Sequence, residues 1–136
     1  MNICPVCGSS VVRETQSITY TYRDQSFEVA QPGDYCPACG EAYLSPKDLK
    51  ATQKSIADHK RHIDYLLSSD EIRSIRKSLN LTQENAAQIF GGGVRAFHKY
   101  ETGESTQSKP LDILLRLLKQ HKITLHDIHE IRGIAR

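Results

Sequence analysis

Apolar and polar residues follow two different periods along this chain, and the change between them divides it. Between residues 18 and 29 the period is two. Ile18, Tyr20 and Tyr22 alternate with Thr19 and Thr21, and Phe27 and Val29 resume the alternation after the turn-like Arg23-Asp24-Gln25-Ser26. That pattern predicts a β-hairpin with one covered face. Its threonines and tyrosines suit either a binding face or ordinary sheet packing and solvent. Gln31-Pro32-Gly33-Asp34 predicts a further turn, returning the chain to Cys36.

From Ser45 the period lengthens to that of a helix. Ser45-Pro46-Lys47-Asp48 supplies an N-cap, a proline at the first position and an acid at the third. The helix is predicted to run to about Tyr65, with Leu49, Ile56 and Ile63 and the alanines at 51 and 57 forming a narrow stripe. So sparse a stripe predicts a half-exposed helix that bridges two domains or carries a partner. Ser69 or Asp70 then caps a helix with Ile72, Ile75 and Leu79 inward and Arg73, Arg76 and Lys77 outward. Thr82 caps a second, Gln83 to Phe90, containing Ala86 and Ala87. After Gly91-Gly92-Gly93, a short third helix from Val94 to Glu101 turns Val94, Phe97 and Tyr100 inward, and Gly103 stops it. Pro110 opens a fourth with Leu111, Leu114, Leu115 and Leu118 at helical spacing. Thr124 caps a last one with Leu125, Ile128 and Ile131.

Composition and charge sharpen the division. All four cysteines precede residue 40, and the Leu- and Ile-rich stretches lie mostly beyond residue 68. Residues 1–68 hold seven Lys+Arg against eight Asp+Glu, a balance of −1; residues 69–136 hold eleven against eight, a balance of +3. The 136 residues suit one domain or two small ones, and the pattern predicts two. Residues 1–66 form an α+β metal-stabilised unit with a hairpin or small sheet and a helix. Residues 67–136 form an all-α unit of five helices. No apolar run approaches the roughly 18 residues that span a bilayer, so no membrane association is expected. Met-Asn-Ile-Cys-Pro at the start has neither a basic n-region nor an apolar h-region. A reducing, cytoplasmic compartment is therefore expected.

In that compartment the cysteines read as metal ligands. Cys4-Pro5-Val6-Cys7-Gly8 and Cys36-Pro37-Ala38-Cys39-Gly40 are two copies of one pattern. A two-residue spacer lets both sulfurs of a pair face one ion, and the glycine after each pair allows the tight turn to close. Four thiolates suit zinc or a single iron; zinc is favoured because nothing else in the chain suggests electron transfer. Disulfides would need an oxidising compartment, and a redox Cys-x-x-Cys comes singly in a βαβ setting. A closed shell leaves no position for water, so the one zinc per chain is expected to be structural, replacing the core that so short a segment cannot build. His59 and His62 read as a solvated helix face.

The second and third helices, joined by a glycine-rich turn, match a helix-turn-helix. In such modules the second helix enters the major groove of double-stranded DNA. That assigns Arg95, His98 and Lys99 to the outward, base-reading face, with Arg95 suited to the paired acceptors of guanine. Thr82 and Gln83, at a helix N-terminus, suit phosphate. The same residues would also serve as solvated charges on a plain helical bundle.

Leu79-Asn80-Leu81-Thr82-Gln83-Glu84, Ile89-Phe90-Gly91-Gly92-Gly93-Val94-Arg95-Ala96-Phe97 and Tyr100-Glu101-Thr102-Gly103 closely resemble the MqsA-type (YgiT-type) antitoxins. So do Cys4-Pro5-Val6-Cys7, Tyr20-Thr21-Tyr22-Arg23 and Tyr35-Cys36. The resemblance runs in order through nearly the whole chain and is weakest over residues 45–68 and the last dozen. It implies an N-terminal zinc domain that binds the cognate toxin, an mRNA-cleaving ribonuclease of the MqsR type, with zinc held by Cys4, Cys7, Cys36 and Cys39. It also implies a Cro/repressor-like C-terminal domain that forms a homodimer and represses its own operon through a palindromic promoter site. The family's base-reading positions fall on Arg95 and Lys99. Better-known members resemble this chain with Asn and Arg there, which implies a different operator sequence.

Three other classes compete on the same residues. A free-standing zinc-containing helix-turn-helix regulator is the alternative, though a closed four-thiolate site argues against sensing by ligand exchange. An RNA-binding zinc-ribbon adaptor is disfavoured by the acidic balance of the first half. An enzyme is not expected: no nucleophile–base pair or paired carboxylates stand out, and the three glycines lack the Lys-Ser/Thr of a phosphate loop.

Overall fold

The computed structural model describes residues 2–133. Strands β1 (Val12–Tyr22) and β2 (Gln25–Tyr35) pair antiparallel along their whole length. Only Arg23 and Asp24 form the turn, with φ of 49° and 63°, a two-residue geometry whose twist matches the strands it joins. The four-residue turn predicted over residues 23–26 is thus shorter in the structure, since Gln25 and Ser26 already pair with Tyr22 and Thr21.

The predicted turn at Gln31-Pro32-Gly33-Asp34 does not form. Strand β2 continues through it, with Pro32 opposite Thr15 and Gly33 opposite Glu14. A two-residue hairpin closes on a hydrogen-bonded pair, here Tyr22 with Gln25, and the pairs then alternate. Pro32 falls at a non-hydrogen-bonded position, so its missing amide costs no ladder bond. Gly33 serves close approach rather than turning: a Cβ there would lie 2.5 Å from Leu44 Cδ2 and 3.4 Å from the Tyr43 carbonyl oxygen. Strand β3 (Ala42–Tyr43) pairs with the end of β2 and completes a sheet of order β1-β2-β3.

Alternation buries Val29, Gln31, Gly33 and Tyr35 of β2, and helix α1 (Pro46–Ile63) packs against this strand. Ser45 caps α1 reciprocally with Asp48, as predicted. The buried face of α1 is not the apolar stripe. Leu49 is 52% exposed, whereas Asp48, Thr52, Ala57 and Arg61 are buried. Thr52 donates to Gln31 Oε1 at 2.9 Å and Gln31 Nε2 donates to the Asp48 carbonyl at 2.8 Å, so helix and strand meet through satisfied polar groups.

Five helices follow: α2 (Ser69–Ser78), α3 (Gln83–Phe90), α4 (Ala96–Thr102), α5 (Lys109–Lys119) and α6 (Leu125–Ile131). Ser68, Thr82, Ser108 and Thr124 cap four of them through their hydroxyls, so the cap of α2 stands one residue before the predicted Ser69. Leu67, Ile72, Ile75, Ala86, Ala87, Ala96, Phe97 and Leu115 form one core. The two alanines of α3 let α4 approach closely. Val94, predicted to point inward, is 73% exposed. Gly91, Gly92 and Gly93 all take positive φ, which carries Val94 and Arg95 outside the bundle before α4 begins. The fold is therefore an α+β unit joined to an all-α one.

A four-cysteine cluster and an exposed helix-turn-helix face

The two Cys-Pro-x-Cys-Gly segments fold alike. Gly8 donates its amide to the Cys4 carbonyl at 2.8 Å and Gly40 to the Cys36 carbonyl at 2.9 Å; both glycines take positive φ. Each knuckle is tied at its base, Cys4 N–H to the Ser9 carbonyl and Cys36 N–H to the Glu41 carbonyl. The hairpin between them brings the knuckles together. All four Sγ atoms lie within 4.8 Å of one another, with Cys4 to Cys39 at 3.6 Å and Cys7 to Cys36 at 3.5 Å. A tetrahedron with metal–sulfur bonds of about 2.3 Å has edges of about 3.8 Å, so the thiols are spaced for one ion. Cys4 and Cys36 are buried, Cys7 and Cys39 exposed.

The surroundings lower two thiols and raise a third: against the Glu41 backbone hydrogen bond, which lowers it, burial and hydrogen bonds with Cys36, Cys4 and Cys7 push Cys39 up to about 12. The Tyr43 hydroxyl, 3.1 Å from Cys4 Sγ, is the main influence bringing that thiol down to about 6, and hydrogen bonds from Ser9 lower Cys7. A donor aimed at a ligating sulfur orients it and disperses its charge. Tyr43 was not singled out by the sequence, because its role depends on β3 folding back beside the first knuckle.

The predicted nucleic-acid residues cluster around α3 and α4. Thr82 is exposed and its Oγ1 accepts the Asn85 amide at 3.0 Å; Gln83 follows at the helix start. Arg95 is exposed but stands just before α4 as its N-cap, without a side-chain cap bond, so it is not on the helix face as predicted. His98 and Lys99 lie within α4 and are half-buried. Arg95 and His98 line an open groove with Leu49, Lys50 and Gln53 of α1. Arg95, His98 and Lys99 stand three and four residues apart, the spacing of one helix side, though only the first two line that groove.

Behind them α4 is fixed by a buried ion pair. Arg76 Nε and Nη2 donate to the two Glu101 carboxylate oxygens at 2.8 and 2.9 Å, and Nη1 donates to the Leu81 carbonyl at 2.8 Å. Arg76 was expected to face outward with Arg73 and Lys77; it is buried because it spans from α2 to Glu101 of α4 and to the Leu81 carbonyl that precedes α3. Phe97 packs edge-on to Tyr100, with centroids 5.3 Å apart.

Among the described residues no helix is long and apolar enough to cross a membrane. Two comparisons with known proteins bear on the family of the chain. A family model described as "Antitoxin component of bacterial toxin-antitoxin system, MqsA" matches residues 1–132. The chain is also 33% identical over 128 residues to Antitoxin MqsA of Escherichia coli (strain K12), covering 92% of this chain and 98% of that protein. With a match that spans both the cysteine knuckles and the helix-turn-helix, the chain belongs to the MqsA antitoxin family.

Proposed function

We propose that this chain neutralises a cognate toxin, an MqsR-like mRNA-cleaving ribonuclease, by stoichiometric binding through residues 1–66. It represses its own operon by binding palindromic double-stranded DNA as a homodimer through residues 67–136. The observation that carries the reading is the joining, in one family-matched chain, of a closed four-thiol cluster to a helix-turn-helix whose open side bears Arg95, His98 and Lys99.

The metal is zinc, held by Cys4, Cys7, Cys36 and Cys39, and its contribution is structural: it ties the sheet's two ends together. Arg95 and Lys99 read bases, with His98 beside them, and Thr82 and Gln83 meet phosphate at the N-terminus of α3. One seven-residue recognition helix reads too few bases alone, so a two-fold dimer engages half-sites about one helical turn apart. Helices α5 and α6 supply the dimer contact; Ile113 and Ile131 are 58% and 87% exposed there. A monomer by light scattering at micromolar concentration would contradict that assignment.

The test is co-expression of the full chain with the protein encoded by the adjacent reading frame. The expected result is a growth arrest caused by that protein and relieved by this chain. Relief should persist in the Arg95→Ala/Lys99→Ala double variant, which should no longer bind the chain's own promoter. Absence of toxicity from the neighbour would favour a free-standing regulator.

A further inference from the structure

Helix α1 falls within the first unit by sequence, yet its Gln53 and Arg61 side chains are bonded to the second. Arg61, with no exposed surface, places four hydrogen bonds. Nη2 donates to the main-chain carbonyls of Tyr100 and Ser105, both at 2.9 Å. Nε donates to Gln107 Oε1 at 3.0 Å, and Nη1 to Asp58 Oδ1 at 3.1 Å. Eight residues earlier on the same helix, Gln53 Nε2 donates to the Thr102 carbonyl at 3.2 Å. Tyr100 and Thr102 lie in the last turn of α4, where carbonyls lack an intrahelical partner and a cation complements the helix dipole. Gly103, which ends α4, is pressed onto α1: a Cβ there would lie 2.8 Å from Lys54 Cα and 3.0 Å from the Gln53 carbonyl oxygen.

A helix of seven residues is marginal without tertiary support. It follows a loop of glycines, and Glu101 in its last turn is held by Arg76. Its end is held by α1. Asp58 balances the Arg61 charge and also accepts from Ser69 N–H at 2.8 Å and Ser69 Oγ at 2.6 Å, so the same contact fixes the entry of α2. Gln107 relays it to the Leu67 carbonyl and to Asp112.

We propose that Arg61 and Gln53 are positioning residues for DNA reading: α1 clamps the C-terminal end of α4 and sets the angle at which Arg95, His98 and Lys99 face the duplex. The proposal rests on the DNA-reading role given above. Neither residue touches DNA; each acts through the carbonyls it holds.

The test uses the full chain and two labelled duplexes, one carrying the region directly upstream of its own coding sequence and one of the same composition with shuffled sequence. The readout is the ratio of the two affinities, which a loss of overall stability alone does not move while the chain remains folded. Gln53→Ala, at a neutral and part-exposed bond, should lower the ratio about threefold, and Arg61→Met about tenfold or more. Arg61→Lys should recover part of the loss, because an ammonium still reaches one carbonyl. Where Arg61→Met fails to fold, Gln53→Ala and Arg61→Lys carry the test, with faster amide exchange expected in α4 but not α3. A wild-type preference left unchanged in the folded variants would overturn the clamp alone. A wild-type chain with no preference between the duplexes would instead overturn the DNA-reading role, and the clamp's purpose with it.

Discussion

The Tyr43 hydroxyl points at the Cys4 sulfur from 3.1 Å, which places a residue of the last strand in the outer shell of the four-thiol site. Removing such a partner commonly costs about ten- to a hundredfold in metal affinity. Tyr43→Phe should therefore bind zinc at least about tenfold more weakly than the wild type. Competition against a chromophoric chelator at fixed pH measures this directly, and equal affinities would show the hydroxyl to be idle.

Metal removal should act on one half of the molecule more than the other. Strands β1 and β2 are joined at their far end by the knuckles, and Tyr35 and Tyr43 flank them. The five later helices have their own apolar core. Chelation, or Cys36→Ser, should lower the thermal midpoint and weaken the near-ultraviolet tyrosine signal while leaving most of the helical signal at 222 nm. Loss of both signals together would mean that the helical core depends on the metal.

Within the helix-turn-helix, the buried pair of Arg76 with Glu101 should dominate stability. Their side chains are 10% and 6% exposed, and breaking a buried pair from one side leaves a charge without its partner. Glu101→Gln or Arg76→Met should destabilise the chain by about 3 kcal/mol or more, read from urea unfolding. A change within about 0.5 kcal/mol would place the pair with surface bridges instead.

DNA binding should separate into two kinds of loss. Arg95→Ala and Lys99→Ala should each weaken binding and relax sequence preference at one position, whereas Gln83→Ala, at a phosphate contact, should weaken binding about uniformly across sequences. Titration at three salt concentrations with a selected site and point variants of it distinguishes these outcomes.

Acid should weaken the seam between sheet and helix. Asp48 is buried, and the Arg13 guanidinium, with the Ser45 amide, holds its carboxyl well below the ordinary range. A depressed folded value means that stability is gained above the unfolded value of about 4 and fades as pH falls through the folded one. The gap in urea midpoint between wild type and Asp48→Asn should be constant above about pH 5 and narrow on acidification below about pH 4. A gap unchanged at pH 3 would mean that the carboxylate charge is not what the site uses.

How much of this was legible in the sequence depended on whether a feature is local. The four cysteines, the caps at Ser45, Thr82 and Thr124, and the helix Gln83–Phe90 before the glycines are set by spacings of a few residues, and they stand where the sequence put them. The strand at Pro32 was misread because a proline and glycine side by side usually turn a chain. Only the pairing register, which places Pro32 at a non-hydrogen-bonded site, makes the extended form free of cost. Arg76 is expected outward, and Arg61 and Thr52 draw no expectation at all, because apolar periodicity has no signal for a buried polar group. Their partners, the Tyr100 carbonyl, Glu101 and Gln31, lie 39, 25 and 21 residues away. Val94 misled in the opposite sense, as an apolar side chain that the glycine loop carries into solvent.

Burial of Arg61 bears on how such a chain can be inherited. A zinc half transplanted onto an unrelated helix-turn-helix would arrive with a guanidinium shaped for the Tyr100 and Ser105 carbonyls and for Gln107, and the recipient would offer none of them. An unpaired cation at a new seam is severely destabilising. Recombination between relatives should therefore succeed only where residues 61, 107 and the end of the recognition helix travel together, so that the two halves descend as one unit rather than as interchangeable modules.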